Sequence, residues 1–294
     1  MSIVCFGCCT KSSVAKPIPT TGNGGLAGSQ PRIIDGSDAT LGRFPYTVSL
    51  QSTDSLSHFC GGSLVAPDVV LSAAHCASTA SAIAARINPH FLTNPQESSE
   101  ILPVLQVLQH PLYSTQSSYD HDLMLLRLGQ NSTHAHVRLN PNPAVPIEEQ
   151  LLTVMGWGTV TQGTADLPEV LQTANVIYLN NQNCETLTLN GNLGDYVGEL
   201  TDDMMCAYEA GSGSCQGDSG TTKQQQQQQV SCIDNMGLFP HALFSPGGPL
   251  IVPGTNPSDD VQVGVVSWGI DCAHRKFMFC TLTCKGVSDK NTLR

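Results

Sequence analysis

Phe59-Cys60-Gly61-Gly62-Ser63-Leu64-Val65-Ala66-Pro67-Asp68-Val69-Val70-Leu71-Ser72-Ala73-Ala74-His75-Cys76 is the stretch whose reading decides the fold. Two apolar runs of strand length stand on either side of Ala66-Pro67-Asp68. Proline presets a turn angle there, and aspartate can hydrogen-bond its own backbone. Residues 59–65 and 69–74 are therefore expected to form a β-hairpin, with His75 at its far end. The same grammar runs outward from Phe44: short apolar segments parted by turn residues, with little helical period. Residues 46–51, 123–128, 151–158, 170–179, 204–208, 250–252 and 261–268 read as further strands. Residues 181–186 read as a short helix opened by an asparagine cap. Residues 78–117 read as loop-rich and carry no assigned chemistry, and His90, His110 and His121 are expected in loops. The fold class is all-β.

Size and composition narrow the function. At 294 residues and 40% hydrophobic, the chain can bury a sizeable core, in one large domain or two fused halves. Its net charge of −11 sets it against nucleic acid, whose phosphates it would repel. Twelve cysteines are many for a reduced cytosolic enzyme and suggest an oxidising, extracellular setting. Cys5-x2-Cys8 and Cys280-x3-Cys284 invite a zinc reading, but neither has a second half at ligand spacing, so no metal is assigned. No run of about 18 apolar residues exists to span a membrane. The first nine residues lack a basic n-region and do not read as a secretory signal. Residues 11–31, rich in Ser, Thr, Pro and Gly, read as a flexible leader, giving a disordered leader at 1–32 and one domain from 33 to 294.

The chemistry sits in Cys215-Gln216-Gly217-Asp218-Ser219-Gly220. Glycine lets backbone approach a substrate closely, and the amides of Gly217 and Ser219 could converge on a carbonyl oxygen that turns negative during attack. A serine hydroxyl needs a base to take its proton. His75 is the candidate base, and Asp122, directly before the apolar run Leu123-Met124-Leu125, is the candidate orienting acid. Asp120 is its rival, two residues earlier and on the same face if the segment is extended.

Around these three places the sequence resembles the trypsin/chymotrypsin-like serine proteases, over residues 32–220 and 248–273. The resemblance implies two six-stranded antiparallel Greek-key β-barrels, about 33–140 and about 147–294 and linked through the proline-rich residues 141–146, with a catalytic cleft between them. It implies a His75–Asp122–Ser219 triad, an oxyanion hole of the Gly217 and Ser219 amides, and no cofactor. It also implies disulfides pairing Cys60 with Cys76, Cys184 with Cys206, and Cys215 with Cys272. Arg32-Ile33-Ile34-Asp35-Gly36 resembles an activation site: cleavage after Arg32 would free the Ile33 amine to pair with Asp218, although Arg32 also reads as an ordinary linker residue. The resemblance further implies that Gly213 falls at the base of the primary pocket, and Ser267, Trp268 and Gly269 along one wall. With no charge at Gly213, a buried substrate cation would be unpaired, so an apolar or aromatic residue is the expected preference. Protein or peptide substrates, an activating protease and protease inhibitors are the implied partners of a chain expected to be a monomer. Asn131-Ser132-Thr133 is a glycosylation sequon, meaningful in a secreted protein.

The resemblance breaks after Gly220, where the family continues directly as Gly-Pro-Leu. Here residues 221–247 intervene, including six glutamines at 224–229, before Gly248-Pro249-Leu250 resumes the pattern. Removing those 27 residues restores Gly-Asp-Ser-Gly-Gly-Pro-Leu. Chain entropy is no obstacle, since closing such a loop costs only about 3 kcal/mol. Location is, because the chain after the nucleophile heads into a barrel where loop backbone lacks partners. Translated intron sequence and a genuine, regulatory or inactivating insertion both remain open. Residues 274–294 show neither the final strand nor the closing helix that the family carries. A protease-like binding protein without activity is the alternative from another class. A lipid or glycan hydrolase is disfavoured, because Ser219 lacks the Gly-x-Ser-x-Gly elbow and the order His, Asp, Ser differs.

Overall fold

A computed structural model describes residues 36–94, 98–113, 119–158, 167–186, 188–189, 192–193, 197–198, 200–209, 245–268 and 276–281. The predicted hairpin is there: β3 (His58–Ala66) turns at Pro67 and Asp68 into β4 (Val69–Ser72), preceded by β1 (Ser37–Asp38) and β2 (Thr47–Ser52). With β5 (Ile83–Ile87), β6 (Glu100–Gln109) and β7 (Met124–Leu128) these close a six-stranded barrel in the order β2-β3-β4-β7-β6-β5. Every pairing around it is antiparallel. Val48, Leu50, Leu64, Val70, Ile87 and Leu126 are fully buried in its core.

The chain then passes through the two-residue β8 (Arg138–Leu139) to β9 (Leu151–Gly156) and β10 (Gln172–Leu179). Helix α1 (Asn181–Thr186) follows, with the Asn180 side chain accepting from the Asn183 amide as the cap. A short pair, β11 (Thr188–Leu189) and β12 (Asn192–Leu193), leads to β13 (Met204–Glu209). The last strands are β14 (Pro249–Val252), β15 (Val261–Trp268) and β16 (Lys276–Thr281). The path β10-β13-β16-β15-β14-β9 returns to β10 through a β9–β10 pairing, so a second six-stranded ring closes. The molecule has the two-barrel fold.

Two expectations are corrected. Residues 78–117 hold two strands rather than loops alone. β5 is buried along its whole length and so shows no alternation, while β6 breaks the usual strand composition with Pro103 and exposes Ile101 and Leu105. The tail also supplies a final strand: β16 pairs with β13 through Cys206↔Met278 and with β15 through Val265↔Cys280. Its Phe277-Met278-Phe279-Cys280 run is continuous rather than alternating, which hides a strand from period-2 reading.

Polar side chains join the barrels. Asp260, fully buried just before β15, accepts from both terminal guanidinium nitrogens of Arg43 at 2.5 and 2.8 Å, from the Tyr46 hydroxyl at 2.7 Å and from the Gly254 amide at 2.7 Å. Burial first, and Asp260 next, push the Tyr46 phenol upward. Ser63 donates to Gln262 at 2.7 Å, β8 runs parallel to the start of β15, and β1 pairs with β10. Disulfides link Cys60 to Cys76 and Cys184 to Cys206.

Candidate active site

His75 sits on a single 3-10 turn, Ala74–Cys76, that begins just beyond β4. Two restraints fix that turn: the Cys60–Cys76 disulfide, and Gln109 Nε2 donating to the Ala74 carbonyl at 2.9 Å. Asp122 approaches from the entrance to β7 and is fully buried. One carboxylate oxygen accepts the His75 backbone amide at 2.8 Å, and the other faces His75 Nδ1 at 2.6 Å. A carboxylate only accepts, so Nδ1 carries the proton in this pair, and in the neutral ring Nε2 then presents a lone pair. That is the tautomer a general base requires.

From the second barrel, Ser267 near the end of β15 donates to the same Asp122 oxygen at 2.5 Å. The acid therefore belongs to one barrel and is held partly by the other. Ser267, expected on a pocket wall, also bonds Asp122 through its side chain. No sequence signal marks this contact between residues 145 positions apart. The rival acid does other work: Asp120 accepts from Thr201 at 2.7 Å, and positive φ at Tyr119 and His121 breaks the extended geometry its candidacy assumed. His90, His110 and His121 lie outside the strands, although His110 is buried.

A second polar chain lies alongside. Ser49 Oγ meets His58 Nδ1 at 2.8 Å, His58 Nε2 meets Ser245 Oγ at 2.7 Å, and Ser245 Oγ accepts the Trp157 amide at 3.0 Å. Burial pulls the His58 imidazole down to about 4, so it is neutral at ordinary pH. Sequence reading passed over His58 altogether.

Among the described residues, Asp120, His121 and Asp203 bring metal-ligand atoms within 4.8 Å of one another. The His121 ring lies between the two carboxylates, Nδ1 3.2 Å from Asp203 and Nε2 3.7 Å from Asp120. Burial raises the Asp203 carboxyl. Arg32, Ile33, Gly213, Cys215, Gly217, Asp218, Ser219, Gly269 and Cys272 lie outside the described residues. Trp268 ends β15, opposite Met278.

Comparison with known proteins agrees with this geometry. A family model described as Trypsin matches residues 33–241. Trypsin Blo t 3 of Blomia tropicalis is 31% identical over 253 residues, covering 83% of this chain and 79% of that protein. Trypsin-10 of Gadus morhua is 31% identical over 257 residues, covering 86% of each. Among solved structures, neuropsin, a serine protease expressed in the limbic system of mouse brain, superposes with a TM-score of 0.63 at 24% identity, covering 85% of this chain and 94% of that one. The secreted serine protease VesC from Vibrio cholerae gives 0.61 at 22% identity, covering 84% and 46% respectively.

Proposed function

Since the chain belongs to the trypsin family of serine proteases, we propose that it is the precursor of a secreted endopeptidase acting through His75, Asp122 and Ser219. The observation that supports this most is the doubly bonded His75–Asp122 pair, with the Ser267 hydroxyl locking the carboxylate. In the proposed reaction the Ser219 oxygen bonds to the scissile carbonyl carbon while His75 Nε2 takes the hydroxyl proton. The Gly217 and Ser219 amides hold the oxyanion. His75 then gives its proton to the leaving amine as the C–N bond breaks. Water, deprotonated by the same nitrogen, bonds to the acyl carbon, and as the bond to the Ser219 oxygen breaks His75 returns the proton to that oxygen, freeing the acid. Asp122 keeps the ring oriented and offsets its charge without being protonated. Cleavage after Arg32 and pairing of the Ile33 amine with Asp218 would order the site.

Gly213 leaves the primary pocket neutral, which favours Phe, Leu or Val before the scissile bond. Peptide anilides ending in these residues and in Arg test the reading on the shortened form, in which Gly220 is joined to Gly248. Hydrolysis that His75→Ala lowers by about 10^4-fold or more is the expected result. A variant as active as its parent would overturn the proposal, and a preference for Arg would overturn its pocket.

A further inference from the structure

Asn131-Ser132-Thr133 is the chain's single Asn-x-Ser/Thr without proline in the middle, since Asn256-Pro257-Ser258 fails that condition. It follows β7 directly after Gly129 and Gln130, on the face of the first barrel where β6 and β7 pair at Val104↔Leu128. Asn131 is exposed, and the two residues after it are pinned. The Ser132 hydroxyl donates to Glu100 at 2.7 Å, the Thr133 amide donates to the same carboxylate at 3.1 Å, and the Thr133 hydroxyl donates there too. The Ser132 amide donates to the Pro67 carbonyl at 2.7 Å. The loop is thus anchored behind Asn131, which stays in solvent.

Beside Asn131 is a shallow hollow of about 370 Å³, lined also by Leu105, Gln106, Arg127 and Asp68. Leu105 is 64% exposed although it belongs to a barrel strand. It leans on Gly129, where a Cβ would stand 3.7 Å from its Cδ2. Arg127 and Asp68 lie 3.8 Å apart and add charge to the lining. A single exposed leucine is ordinary on a protein surface. Here it lies in one hollow with an amide and a charged pair, at the foot of a sequon. An N-acetylhexosamine matches that mixture, with a face of C–H groups and an edge of hydroxyls and an acetamide.

We propose that Asn131 carries an N-linked glycan whose first sugar lies in this hollow, over Leu105. The inference rests on the secreted reading above, because the transfer belongs to the secretory pathway. In it, Asn131 Nδ2 bonds to the anomeric carbon of a lipid-diphosphate-linked oligosaccharide as that carbon's bond to the diphosphate oxygen breaks. The lipid diphosphate leaves with the electron pair, and the amide gives up one proton to base. The sequon is read through its third residue, and folding gives the Thr133 hydroxyl to Glu100. Transfer therefore precedes closure of the loop on β6, and folding then seats the sugar.

The test makes the full chain and the shortened form in a eukaryotic secretory host behind a secretion signal. Peptide maps are read before and after peptide:N-glycosidase digestion, which leaves Asp at position 131. The expected result is a glycopeptide at Asn131 that Asn131→Gln abolishes. The glycosylated full chain should melt about 2 °C or more above the fully deglycosylated one. Trimming the glycan to its first sugar should keep that gap, and Leu105→Ser should close it. A gap lost on trimming, or indifferent to Leu105→Ser, would overturn the seating. Peptide anilides assayed on the shortened form separate the two readings. A bare Asn131 with intact hydrolysis would overturn this inference alone, and a glycan at Asn131 without hydrolysis would overturn the proposed function alone.

Discussion

His58, whose ring is held between Ser49 and Ser245, couples the fold to pH. Its pKa falls from an ordinary 6.5 to about 4 on burial, so the unfolded chain binds the extra proton between those values. The stability it contributes is complete above about pH 6.5 and is lost as pH falls toward 4, amounting to roughly 3 kcal/mol. Urea denaturation of the full chain at pH 7 and pH 4.5 should show that loss, and His58→Gln should flatten it. At the candidate base, Asp122→Asn in the shortened form should lower kcat by about 10^4-fold, the cost familiar from serine-protease triads, because an amide facing Nδ1 favours the wrong tautomer. His75 and Asp122 were legible because chemistry demands those residue types beside recognisable strands. Ser267 and the Ser49–His58–Ser245 chain were not, because each is assembled by contacts between segments far apart in sequence.

Strands that alternate, or that border a clear turn, were legible as elements: β3 and β4 lie within two residues of their expected bounds. β5 and β16 were missed because neither alternates, and pairing in a closed ring can stabilise a strand that local pattern does not announce. The turn leading into β14 is closely packed. Gly61, Gly156 and Gly248 meet there so closely that a Cβ on any one would come within 3.0 Å of a neighbouring backbone atom. Gly248→Ala should therefore destabilise the full chain and the shortened form alike, by about 1–3 kcal/mol in urea. A neutral result in both would show that Met155 can yield. The break at Gly220 was visible as composition.

The two barrels share buried polar groups rather than a mobile hinge. Asp260 is fully buried and satisfied from both sides of the seam, so Asp260→Ala strands Arg43 and the Tyr46 hydroxyl and should remove about 3 kcal/mol or more, read from the urea midpoint at unchanged slope. Calorimetry of the intact chain should show one transition for both halves, and two resolved peaks would count against a shared seam. The family resemblance made two barrels legible at this scale, but the bonds that join them were hidden in ordinary-looking residues. Their arrangement has a kinetic meaning. Among the described residues, Asp260 and Ser267 pin the two barrels to each other, so a peptide or an inhibitor would meet barrels whose mutual placement is already fixed. Capture should then proceed in a single bimolecular phase, at a rate proportional to ligand concentration and without a plateau, as for other preformed interfaces.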